Sequence, residues 1–114
     1  MQQDEKIRLQ HMLDAARKAV ELTKTRKRPN LETDEMLTLA LERLLEIVGE
    51  ASKNITQPTK DAHPEIAWKE IAAFRNRLIH GYFDIDLDIL WEIIKNDLPP
   101  LIESLKIILS SKKI

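Results

Sequence analysis

With 114 residues, 43% of them apolar, only 2 glycines and a net charge of -1, the chain is one domain's worth of polypeptide with room for a modest core. That charge balance gives no sign of a nucleic-acid binder acting through global charge, so any such site has to be a local basic patch. Cysteine is absent, which excludes disulfides, thiolate catalysis and cysteine-based zinc sites.

Leu, Ala, Glu, Lys and Arg dominate, so an all-α domain spanning 1-114 is expected. The polar start, Met1 to Arg8, is not a secretory signal, and no apolar run approaches the ~20 residues of a membrane span. A cytoplasmic protein with no membrane partner is the corresponding expectation.

Asp4 to about Lys24 reads as the first helix. Leu9, Met12, Leu13, Ala16, Ala19, Val20 and Thr23 form one stripe at i, i+3, i+4 spacing. Lys24, Arg26, Lys27 and Arg28 cluster at its far end, before a break at Pro29-Asn30. They either complement the helix dipole and aid solubility, or form a patch that contacts RNA phosphates. A second helix is expected from about Thr33, as N-cap, to Lys53. Its apolar set, Met36 to Ala51, is wider than an ordinary surface stripe, which suits a central helix or a subunit interface. Glu42, Glu46 and Glu50 share one face, as a solvated row or as the lining of a polar cavity.

Asn54 to His63 reads as a loop, and Pro64 as the first position of a third helix capped by His63 or a neighbour. This helix ends in Arg75-Asn76-Arg77-Leu78-Ile79-His80, with Gly81 as its stop. Asp86 is the expected N-cap of a fourth helix, in which Pro99-Pro100 predict a kink or break near Asp97. The sum is an up-and-down bundle of four helices, or five if the proline pair breaks the last one.

The Arg75 to Tyr82 corner concentrates the reactive side chains. On an ideal helix five steps turn roughly 500°, so Arg75 and His80 are not face neighbours, whereas Asn76 and His80 are. Two copies of the corner across a dimer axis make a tighter site than one. Arg75 offers a planar donor fork for phosphate, and His80 can move a proton near neutral pH. Together they suffice for metal-independent RNA cleavage, with the 2′-hydroxyl as nucleophile and Arg75 holding charge on the phosphorane. The bland alternative makes His80 a C-cap donor, pairs Arg75 and Arg77 with Asp84, Asp86 or Asp88, and buries Tyr82 and Phe83 in the core.

Arg75, His80 and Tyr82 reproduce an Arg-x4-His-x-Tyr pattern, and the chain resembles the HepT-like toxins of the HEPN superfamily. The flanks are similar as well: Ile47-Val48-Gly49-Glu50-Ala51, His63-Pro64-Glu65-Ile66-Ala67-Trp68 and Asn96-Asp97-Leu98-Pro99-Pro100-Leu101. The resemblance implies a homodimeric helical bundle that acts as the ribonuclease toxin of a type VII toxin–antitoxin system. Arg75 and His80 are then catalytic and Asn76 is a supporting polar residue. Arg77, Lys24, Arg26, Lys27 and Arg28 are possible contacts to an RNA substrate, tRNA or mRNA. No metal and no cofactor are implied. The implied partner is a minimal nucleotidyltransferase antitoxin of the MntA type, which transfers AMP to Tyr82. The competing readings are a non-catalytic nucleotide- or partner-binding subunit of a nucleotidyltransferase complex, and a plain dimerisation module.

Overall fold

Four long or composite helical segments pack around one apolar core. The computed structural model describes residues 3–80 and 84–110. Helix α1 (Gln3–Thr23) lies against α3 (Glu35–Lys53) and against α8 (Leu98–Ser110). Leu9, Met12, Leu13, Ala16 and Ala19 of α1 meet Leu41, Leu45 and Val48 of α3, and Leu98, Leu101, Leu105 and Ile108 of α8 close the core. The periodic stripes account for this burial, since each places its apolar positions on one side of its helix. The all-α expectation holds. No described helix is long and apolar enough to cross a membrane.

The connections depart from the sequence reading in detail. A single-turn helix α2 (Asn30–Thr33) follows Pro29, and α3 begins at Glu35 with Asp34, not Thr33, as its N-cap. Asp34 Oδ1 accepts from the Leu37 N–H at 3.1 Å and its Oδ2 accepts from Arg26 at 3.0 Å, a pair of bonds that Thr33 has no charge to form. The stretch expected as a loop contains α4 (Gln57–Ala62), with Pro58 in its first turn. Pro64 does not open a helix, and His63 caps the end of α4 instead. The His63 carbonyl accepts from the Ile66 N–H and from Trp68 Nε1, which holds a turn until α5 (Trp68–Ala72) begins.

Helix α6 (Phe74–Leu78) stops three residues before Gly81. Ile79 is already extended, and β1 (Ile79–His80) pairs antiparallel with β2 (Asp84–Ile85), Ile79 opposite Ile85 and His80 opposite Asp84. The Leu78 carbonyl, left without a helical partner, accepts from the Asp86 N–H at 2.8 Å. The expected stop at Gly81 lies outside the described residues, and the helix-face pairing of Asn76 with His80 does not apply, because His80 is not helical.

Asp86 is the N-cap of α7 (Leu87–Glu92), accepting from the Asp88 and Ile89 N–H groups. The discontinuity expected near Asp97 takes the form of a π turn, Ile93–Asp97, which passes directly into α8 with Pro99 and Pro100 in its first turn. The wider π turn carries the Leu98 N–H to the Ile93 carbonyl, five residues back. It thereby relaxes the crowding that a proline ring imposes on the carbonyl four residues behind it.

One buried carboxylate ties the start of α1 to α4. Glu5 accepts from the Thr56 N–H and, at 2.6 Å, from Thr59 Oγ1. Burial pushes its pKa up, but these hydrogen bonds prevail and hold it below the ordinary value of 4.5. Because the folded-state pKa is depressed, this stabilisation is present at neutral pH and is lost as pH falls below that ordinary value through the folded one. Glu5→Ala is expected to cost about 1–3 kcal/mol at pH 7 in chemical denaturation, with the difference from the parent shrinking under acid.

Candidate functional site

Packing on α3 places the corner. Gly49, buried in mid-helix, lets α3 run close to the end of α5: a Cβ there would stand 3.2 Å from the Ile71 carbonyl oxygen. Ala73 alone separates α5 from α6, so this approach also sets where α6 presents its side chains. Phe74 and Leu78 enter the core from α6, and Arg75 and Asn76 face outward.

The two arginines of the motif have different fates. Arg77 is half-buried, bonds Asp97 of the π turn at 3.0 Å and lies over the Phe74 ring at 5.8 Å. Arg75 forms no ion pair among the described residues. It borders a polar depression of about 280 Å³ lined also by Arg43, Glu46, Gly49, Glu50, Lys53 and Ala72. The glutamate row of α3 therefore lines a polar cavity through Glu46 and Glu50. Glu42, one turn before Glu46, is half-buried. Burial raises its pKa first, the neighbouring Glu46 charge raises it further, and the Arg75 charge offsets part of the rise.

The basic turn after α1 is partly committed. Arg26 pairs with Asp34, and Arg28 pairs with Asp88 at 2.8 Å and with Glu32 at 3.4 Å. Lys24 and Lys27 are exposed. The Arg28–Asp88 bond draws this turn to the β2–α7 corner, where Asp86 also bonds Leu78. Basic turn, strand pair and Arg75 helix thus belong to one end of the fold. Tyr82 lies outside the described residues. Among the described residues no group of three His, Asp or Glu side chains is poised to hold a metal ion. The locks that sequence reasoning did not find are Arg77–Asp97 and Arg28–Asp88. Partners 20 and 60 residues apart leave no periodic signal.

An all-α domain with a short helix that presents, among the described residues, an arginine without an ion pair beside a mixed-charge depression is the class of protein that fold and site define. A family model described as Ribonuclease HepT-like matches residues 12–108, and the chain belongs to that family. A "Probable ribonuclease HepT" of Thermococcus cleftensis is 50% identical over 68 residues, which is 60% of this chain and 62% of that protein, so the match spans less than two thirds of that relative. A "Putative RNase TTE0752" of Caldanaerobacter subterraneus is 38% identical over 105 residues, 92% of this chain and 94% of that protein. A "Putative RNase MJ1380" of Methanocaldococcus jannaschii is 37% identical over 105 residues, 92% of this chain and 96% of that protein. No solved structure matches the chain.

Two substitutions probe this arrangement. Gly49→Val adds a branched side chain against a backbone carbonyl and is expected to cost about 1–3 kcal/mol in denaturation, with α5 displaced. Arg77→Ala removes a partly exposed ion pair and a ring contact and is expected to cost about 1 kcal/mol by the same measurement.

Proposed function

We propose that the protein is a metal-independent endoribonuclease in which Arg75 and His80 act on the scissile phosphate. The observation that carries this reading is the division of labour between the two arginines. Arg77 is spent on Asp97 and Phe74, while Arg75 borders the depression with no ion pair among the described residues. The relatives named ribonuclease support the same class of activity.

In the proposed step His80 accepts the proton of an RNA 2′-hydroxyl, whose oxygen attacks the adjacent phosphorus. The bond to the 5′-oxygen breaks, that oxygen takes up a proton, and a 2′,3′-cyclic phosphate remains. Arg75 binds the non-bridging oxygens as their charge grows. Lys24 and Lys27, on the basic turn drawn to the same end of the fold, extend the phosphate track. Asn76, exposed beside Arg75, is a further polar contact. A homodimer that apposes two such corners completes the site. Met36 and Leu39, 82% and 57% exposed on α3, supply apolar surface for that association.

The same reading makes the chain the toxin of a toxin–antitoxin pair, silenced when a nucleotidyltransferase of the MntA type transfers AMP from ATP to the Tyr82 phenol with release of pyrophosphate. A bulky anion two residues from His80 competes for the cations that receive the RNA phosphate.

Purified protein is expected to cleave RNA in the presence of EDTA, and Arg75→Ala and His80→Ala each to lower the rate about 10²–10⁴-fold without loss of fold. Nucleotide binding without cleavage would instead support a non-catalytic subunit of a nucleotidyltransferase complex. Intact mass after co-expression with the nucleotidyltransferase checks the regulation, since added adenylate has to vanish in Tyr82→Phe.

A further inference from the structure

A second hollow, of about 470 Å³, opens between α4 and α5. Small-ligand sites span about 300–1,000 Å³, so the size suits an organic group. Ile66, Trp68 and Ala72 supply its apolar lining, and Lys60 and Lys69 its cations. Neither lysine has an ion pair within 4 Å among the described residues. The carboxylate that lines the hollow, Asp61, accepts from the Gln57 amide at 2.9 Å. Trp68 is half-buried, and its indole N–H donates to the His63 carbonyl at 3.0 Å. With that donor spent, the π surface is what the ring has to offer a ligand.

Ala72 borders this hollow and the Arg75 depression alike. Helical bonding runs through Ala73 from α5 into α6. Its N–H meets the Lys69 carbonyl at 3.1 Å, and its carbonyl accepts from the Arg77 N–H at 2.9 Å. Trp68, Ala72 and Arg75 therefore recur at i, i+4 and i+7 on one face, with about 10 Å of rise from first to last. A few nucleotides of single strand cover that distance. An aromatic surface beside ammonium groups is a general means of holding such a strand without reading its sequence.

We propose that the α4–α5 hollow is a subsite for the substrate strand, in which Trp68 stacks one nucleobase while Lys60 and Lys69 hold the flanking phosphates. The substrate is then single-stranded at this point, because a base inside a duplex has no free face to stack. The proposal rests on the ribonuclease reading for the cutting of the bound strand, but not for its binding.

The test uses the full chain and a 2′-O-methyl oligoribonucleotide about ten nucleotides long, which has no 2′-hydroxyl to act as nucleophile. Tryptophan emission is followed on titration in the parent and in Trp91→Phe, where Trp68 is the tryptophan that remains. Binding is also measured against salt in the parent, Lys60→Gln and Lys69→Gln, two changes that break no ion pair among the described residues. Trp68 emission is expected to be quenched at saturation. Each lysine substitution is expected to weaken binding severalfold and to flatten the plot of log affinity against log salt by about 0.7. Unquenched Trp68 emission, slopes unchanged in both lysine variants, or AMP alone binding as tightly as the oligomer overturns the proposal. A parent that cleaves unmodified RNA with Trp68 silent defeats the subsite and leaves the ribonuclease reading standing. A parent that binds the oligomer with Trp68 quenched, yet cleaves no RNA, upholds the subsite and defeats the ribonuclease reading.

Discussion

The close approach of α3 to the end of α5 at Gly49 is the constraint on which the placement of Arg75 depends. A helix backbone packed within reach of a carbonyl from another segment leaves little room for a side chain, and Gly49 supplies that room where the Ile71 oxygen stands. The glycine costs helix stability, by about 1 kcal/mol relative to alanine. In return α5 and α6 are seated against α3, so that Arg75, Glu46 and Glu50 border one depression. Ser52, buried, bonds the Gly49 carbonyl at 2.7 Å and secures the helix at this point.

Charge is then apportioned within the same few residues. Arg77 is held by Asp97 from the π turn, and its guanidinium also covers Phe74, so it serves packing. Arg75, two positions earlier, points to solvent. The alternation follows from helix geometry, since successive positions rotate by about 100° and residues two apart lie on different faces. Of the basic turn after α1, Arg26 and Arg28 are matched by Asp34, Glu32 and Asp88, while Lys24 and Lys27 stay exposed.

The long helices were legible because each carries a periodic apolar stripe: Leu9, Met12, Leu13, Ala16, Ala19 and Thr23 are buried where the spacing puts them, as are Leu37, Leu41, Leu45 and Val48, although the wider set on α3 leaves Leu39 exposed. Asp86 was legible as a cap because a short acidic side chain before an apolar run has one common use. The end of the Arg75 helix was not. Gly81 is a strong local stop signal, yet the helix yields earlier, where the Ile79–Ile85 pairing and the Asp86–Leu78 bond offer the backbone other partners. Pro64 misled for a similar reason, since the turn at His63 to Trp68 is held by a tryptophan indole that no proline rule anticipates. At the site, the reactive types at Arg75 and His80 were visible as a motif. What separates Arg75 from Arg77 was not visible, because it is set by Asp97 on another segment. The Glu42–Glu46–Glu50 row was visible as a face, but not that Glu46 and Glu50 line a depression beside Arg75.

The π turn at Ile93–Asp97 lets one continuous rod serve two masters. An α-helix that takes up one extra residue carries everything beyond it around by about 100°. Residues 87–92 are thereby keyed to the Asp86 corner, while Leu98, Leu101 and Leu105 are keyed to α1, and neither set dictates the phase of the other. The turn itself is fastened on both sides, with Lys95 bonding the Thr23 carbonyl at the end of α1 and Asp97 bonding Arg77. The rod thus works as a coupling with an adjustable phase. One residue gained or lost there would turn residues 87–92 by about 100° while α8 kept its register against the core.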